Sequence, residues 1–222
     1  MRIKVCGMRD QAVIDTAAGL GVDLCGFVFH APSPRAITPE RARALDTGGM
    51  ARVGVFVRQS AGEIAAIMAL ARLDYVQLHG RQGTDVAALV PAARIIRVFN
   101  PADYADTAQL QAAVDAWAGF CGLYLLDAGA GSGQTLDWTA LDGLRFAHPW
   151  LLAGGLDAHN VAEALRLCRP DGVDFNSRLE VAPGRKDPAL LAAAVRAVRA
   201  ACKKHDGNAE TPYDLIAPSP RC

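Results

Sequence analysis

Two short segments have the residue types needed to move protons. The first, Lys4-Val5-Cys6-Gly7-Met8, closes an apolar run near the N-terminus. Side chains alternate along an extended strand, so Lys4 and Cys6 share one face while Ile3 and Val5 share the other. A thiol ordinarily ionises near pH ~8.5, and a cation on its own face favours the thiolate. A modest net lowering of the Cys6 pKa and a role as a base are expected. The competing reading is a small buried hydrophobe, the usual fate of a lone cysteine. The second segment, Leu125-Leu126-Asp127, ends an apolar run on an acid, which makes Asp127 a candidate proton donor. The loop after it carries Gly129, Gly131 and Gly133, a pattern suited to a mobile or phosphate-approaching loop.

Other segments could hold an anion. Pro32-Ser33-Pro34-Arg35 fixes where an arginine points, and a guanidinium can grip a carboxylate in bidentate fashion. Read from its loop alone, however, Arg35 is a solvated surface arginine. Gly154-Gly155 would let backbone N–H groups approach a phosphate, or simply form a left-handed turn, and Ser177 could cap a short helix. His79, at the end of Val76-Gln77-Leu78-His79, could line a pocket or hydrogen-bond the next loop.

These residues need elements to carry them. Apolar runs at Arg2–Val5, Leu24–Phe29, Ala51–Val57, Tyr75–Leu78, Arg94–Phe99, Leu123–Leu126, Trp150–Leu152 and Gly172–Phe175 read as strands alternating with helical patterns. Helices are expected over Asp10–Leu20, capped by Asp10, and over Ser60–Leu70, where Ser60 and Glu63 form a capping box. Two more are expected at Asn160–Leu167 and at Pro188–Arg199, the latter with proline in its first turn. The piece Trp138–Leu141 is too short for a full helix. Eight such units predict a single-domain α/β (β/α)8 TIM barrel over residues 1–202 and a flexible polar tail over 203–222. A doubly wound open sheet has the same periodicity, but no G-x-G-x-x-G follows the first strand. In a barrel, the candidate residues all fall where strands end and βα-loops begin, the functional face.

Bulk properties narrow the partners. The chain has 222 residues, 51% hydrophobic and 21% charged, enough for one full core. Twenty-three basic residues balance 23 acidic ones, so no global field attracts nucleic acid or an acidic membrane, and any anion site is local. Six cysteines without C-x-x-C or zinc-finger spacing read as reduced thiols of a cytoplasmic protein. Neither a signal-peptide core nor an 18-residue apolar run is present in the sequence.

In order along the chain, KVCGM, GFVF followed by SPR, QLHG, LLD with GSGQTLDW, LAGGL, and GVDFNS with PGRKD closely resemble the phosphoribosylanthranilate isomerases. The resemblance spans roughly Arg2 to Asp187. It implies a cofactor-free isomerase of tryptophan biosynthesis acting on a small phosphorylated substrate, as a monomer or homodimer. By position, Cys6 matches the family's general base and Asp127 its general acid. Arg35 matches the arginine that holds the anthranilate carboxylate. Gly154, Gly155 and Ser177 match the phosphate loops, and His79 and Asp174 are counted with the substrate-binding residues; no metal site is implied. Two positions depart from the pattern: Arg178 stands where a glycine is usual, and Leu136 where a phenylalanine is usual. The related barrel isomerase of histidine biosynthesis uses a carboxylate where Cys6 stands. A pentose-phosphate epimerase would want His/Asp metal pairs at strand ends. A non-catalytic phosphate-binding barrel would need no acid–base pair.

Overall fold

The computed structural model describes residues 1–127, 138–141 and 143–203. Eight parallel strands close into a barrel: β1 (Arg2–Val5), β2 (Leu24–Val28), β3 (Ala51–Phe56), β4 (Tyr75–Leu78), β5 (Ile95–Phe99), β6 (Leu123–Asp127), β7 (Trp150–Ala153) and β8 (Gly172–Phe175). Each pairs with its sequence neighbour, and β1 closes on β8 with Lys4 opposite Asp174 and Val5 opposite Phe175. The open-sheet alternative is thereby excluded.

The alternation expected for β1 holds around the ring. Leu24, Val53, Tyr75, Ile96, Leu123 and Leu151 fill the barrel interior as one cluster. The opposite faces, including Ile3, Val5, Phe27, Phe56, Leu126 and Phe175, join the helices in a second, larger core. Strands buried on both faces read as continuous apolar runs, which is why they stand out in the sequence.

The helices begin where their caps place them. Asp10 accepts from the Ala12 and Val13 N–H groups at the start of α1 (Gln11–Gly19). Thr38 caps α2 (Pro39–Ala44). Ser60 and Glu63 complete the capping box of α3 (Ala61–Leu70), and Asp106 caps α4 (Thr107–Ala116). α5 (Val161–Cys168) ends at Arg169, which takes a left-handed conformation. α6 (Pro188–Lys203) turns Leu191, Ala194, Val195 and Val198 onto the core and runs four residues past the expected Arg199. Only short 3-10 turns, Thr84–Ala88 and Ala92–Arg94, follow β4, and Trp138–Leu141 is likewise a 3-10 turn.

A small antiparallel hairpin, β9 (Glu180–Ala182) with β10 (Arg185–Lys186), follows β8. The glycine-rich loop at 128–137, including Leu136, lies outside the described residues, as does the tail beyond Lys203, which itself closes α6. Among the described residues no helix is long and apolar enough to cross a membrane.

Candidate active site

The eight residues singled out in the sequence come together at one cavity at the C-terminal ends of the strands. Cys6, Arg35, His79, Asp127, Gly154, Gly155, Asp174 and Ser177 all line it, with Val28, Val55 and Gln77 among its other walls. Chain direction explains the gathering: in a parallel barrel every strand delivers its last inward residue to the same mouth.

Cys6 sits just past β1, its N–H donating to the Phe175 carbonyl across the seam at 2.8 Å. It is buried among Val28 and Val55. Gly26, its neighbour on β2, makes the room: a Cβ there would lie 2.9 Å from the Cys6 Cα and 3.0 Å from its Sγ. Lys4 is inward-facing as expected and fully buried, but its ammonium is committed to the Asp174 Oδ2 at 2.7 Å. This changes the expected behaviour of the thiol. Burial pushes Cys6 up, Lys4 and Lys186 pull it down, Asp174 pushes it up again, and the net result is a raised pKa. The modest net lowering expected is corrected: burial was weighed against Lys4 but outweighs it, and the Asp174 anion was not counted. For Asp174, burial raises the carboxyl and Lys4 offsets only part of that rise. Burial pushes Lys4 down, but Asp174 and then Cys6 outweigh it and hold the ammonium above its ordinary range.

Asp127 ends β6 on the far side of the mouth from Cys6, partly exposed, with the His79 Nε2 at 3.7 Å from its Oδ2. That spacing is too long for a direct hydrogen bond. His79 therefore lines the pocket, and its backbone N–H also pairs with the Phe56 carbonyl at 2.9 Å.

Arg35 is held, not solvated. Loop two doubles back on β2, with the Ile37 N–H donating to the Val28 carbonyl at 3.0 Å, and the Ser33 hydroxyl accepts from the Arg35 N–H at 3.1 Å. The Arg35 Nε and NH2 donate to the two carboxylate oxygens of Glu180 at 2.8 and 2.7 Å. Its stem crosses over Gly7, where a Cβ would lie 2.9 Å from the Arg35 Cδ.

On the opposite rim, Gly154 and Gly155 take φ values of 99° and 62°. These left-handed values favour glycine over any residue with a Cβ. Asn160 braces the turn, its amide donating to the Gly155 carbonyl at 2.8 Å. Ser177 begins the 3-10 turn Ser177–Leu179; Asn176 occupies the cap position, so Ser177 is the first residue of the turn and not its cap. Arg178 also lines the cavity. The site thus has a buried thiol and a carboxyl group on different strands, an arginine at one edge, and two left-handed glycines at the other.

The family model for N-(5'-phosphoribosyl)anthranilate isomerase matches residues 3–197 of the chain. The chain belongs to this family. It is 53% identical over 211 residues to the N-(5'-phosphoribosyl)anthranilate isomerase of Desulfovibrio desulfuricans, covering 94% of this chain and 98% of the relative. Among solved structures it is similar to TrpF from Jonesia denitrificans, with a TM-score of 0.76 and 38% identity, covering 91% of this chain and 98% of the other. It is also similar, at a TM-score of 0.76 and 28% identity, to a phosphoribosyl anthranilate isomerase in complex with reduced 1-(o-carboxyphenylamino)-1-deoxyribulose 5-phosphate; there the match covers 90% of this chain and 99% of the other.

Within this family member, several site residues were not singled out in the sequence. Gln77 appeared only within the segment that ends at His79, yet its Oε1 is buried at the cavity with no hydrogen-bond partner among the described residues, as is the Oδ1 of Asp174. Glu180 and Lys186, which pair at 2.7 Å, carried no local signal beyond the PGRKD segment. A polar residue facing inward on an otherwise apolar strand could have flagged Gln77.

Proposed function

We propose that this chain converts N-(5'-phosphoribosyl)anthranilate to 1-(2-carboxyphenylamino)-1-deoxyribulose 5-phosphate, an Amadori rearrangement of tryptophan biosynthesis. One observation carries the reading: a thiol and a carboxyl group stand on strands one and six, across a single cavity, between an arginine at one end and two left-handed glycines at the other.

The scheme needs two proton movements. Asp127 protonates the furanose ring oxygen, the C1′–O bond breaks, and the nitrogen lone pair closes to an iminium. The Cys6 thiolate then removes the C2′ proton, and that electron pair neutralises the iminium as an enolamine, which tautomerises to the ketone. Holding both groups still against a substrate pinned at its two ends supplies most of the advantage. The N–H groups of Gly154 and Gly155 with the Ser177 hydroxyl take the phosphate, and Arg35 takes the carboxylate. His79 and Asp174 complete the substrate contacts. Because burial raises the Cys6 thiol, the ionised base is scarce but strong, and the rate rises with pH as the thiolate forms. No cofactor enters the scheme, and the enzyme works in the cytoplasm as a monomer or homodimer.

Loss of anthranilate fluorescence on adding phosphoribosylanthranilate measures the reaction directly. Cys6→Ser and Asp127→Asn should each lose most turnover, since a hydroxyl is a far weaker base and an amide cannot donate the proton. Near-normal kcat in Cys6→Ser would remove Cys6 as the base, and no turnover in the parent chain would refute the substrate.

A further inference from the structure

Arg35 does not reach the cavity alone. Its Nε/NH2 edge is forked onto Glu180 at 2.8 and 2.7 Å. The same carboxylate accepts from the Lys186 Nζ at 2.7 Å. Lys186 spends its other donors on the Asn176 carbonyl at 3.2 Å and the Asn176 Oδ1 at 3.0 Å. The side chains of Glu180 and Lys186 are each only 3% exposed. The hairpin register sets Lys186 opposite Glu180. At the hairpin turn, Gly184 has φ 80°, and a Cβ there would lie 2.4 Å from the carbonyl oxygen of Pro34, the residue before Arg35. That same carbonyl accepts from the Arg9 NH1 at 2.6 Å.

These contacts hold the loop that carries Arg35 against Arg9 on one side and the β9–β10 hairpin on the other. We propose that Glu180, with Lys186 beside it, is the positioning device for the substrate-reading arginine, and that it sets selectivity for an arylamine bearing an ortho carboxylate. The proposal rests on the assignment of Arg35 to that carboxylate. Two features fit the role. A fork on Nε and NH2 leaves the NH1/NH2 edge for a second, planar carboxylate, and fixes the plane in which it is read. Two basic side chains also share one carboxylate, so the formal charge of the wall favours an anionic ligand, although burial pushes the Lys186 ammonium below its ordinary range. Burial pushes the Glu180 carboxyl up, but hydrogen bonds from Arg35 and Lys186 outweigh it and hold it below the usual range, so the clamp stays charged near neutrality.

The test is binding, measured by calorimetry, of two reduced product analogues that differ only in the ortho carboxylate. The parent chain should prefer the carboxylate form by roughly 100-fold, the scale of a charge-assisted bidentate pair. Arg35→Ala should abolish that preference. Glu180→Gln, which keeps the shape, should cut it about tenfold while leaving the affinity for the carboxylate-free analogue unchanged. Lys186→Met should cut it less. If Arg35→Ala abolished the preference and Glu180→Gln left it intact, Arg35 would stand as the reader and the positioning proposal would be overturned. If Arg35→Ala kept the preference, the assignment of Arg35 itself would fall. Equal losses for both analogues in Glu180→Gln would mark Glu180 as merely structural and also overturn the proposal; melting each variant beforehand shows whether it is folded.

Discussion

Replacing Lys4 by methionine tests the buried pair at the root of the site. Lys4 is fully buried and 2.7 Å from Asp174, and the Asp174 Oδ1 already lacks a hydrogen-bond partner among the described residues. Methionine keeps the length of the stem but leaves a buried carboxylate uncompensated. Breaking a buried pair from one side costs about 3–5 kcal/mol. At about 2–4 °C per kcal/mol for a chain of this size, Tm should fall by roughly 10 °C near neutrality. The pH dependence gives the sharper signature. Burial already holds the Asp174 carboxyl above its ordinary range, and losing the pull of Lys4 moves it further up. Between the unfolded and folded values the native state binds the extra proton, so stability falls as pH rises through that window. The deficit of the variant should therefore be largest near neutrality and shrink as acid protonates Asp174. Denaturation midpoints of parent and variant, at pH ~7.5 and again at ~5, measure both effects. Lys4 also pulls the Cys6 thiol down, so the acidic limb of kcat/KM should move to higher pH in the variant. A variant as stable as the parent at both pH values would refute the view that this charge pair is uncompensated without Lys4.

Three further outcomes are expected. Gly26→Ala places a methyl 2.9 Å from the Cys6 backbone; kcat should fall roughly 10–100-fold with little change in KM, and stability by about 1–3 kcal/mol, checked by steady-state kinetics and urea denaturation. Gly154→Ala strains a residue at φ 99°, so KM should rise, inhibition by inorganic phosphate should weaken, and about 1–2 kcal/mol of stability should be lost; unchanged phosphate inhibition would move the phosphate site elsewhere. Truncation after Lys203 keeps every buried residue of α6 and should leave kcat/KM intact, whereas a large loss would show that the tail docks.

Much of the fold was legible because a closed parallel barrel writes itself in alternation. Arg2–Val5, Tyr75–Leu78 and Gly172–Phe175 have the bounds read from the sequence, and Asp10 and Ser60 start their helices through local hydrogen bonds. The mouth was legible for the same reason, since Cys6, His79, Asp127 and Gly154 each stand at the end of a strand. What escaped depends on distant partners. Arg35 looked solvated from its loop because Glu180 lies 145 residues away. The direction of the Cys6 shift was misjudged because strand spacing reveals Lys4 but not Asp174, nor how completely the pair is buried. Where β4 is followed by Gly83 and Pro91, the chain makes 3-10 turns in place of a full helix, and neither turn has a side-chain cap to mark its start.

The seam between β1 and β8 joins residues 170 positions apart, and Lys4 and Asp174 lie directly across it. During synthesis, the strand carrying Cys6 leaves the ribosome early and waits, its thiol and ammonium in water, until β8 has been made. Contacts of such long sequence separation form late and slowly. A shortened nascent chain can stack several strands, but it cannot assemble the mouth, so catalytic competence in this protein is withheld until the far end of the ring has arrived to close it.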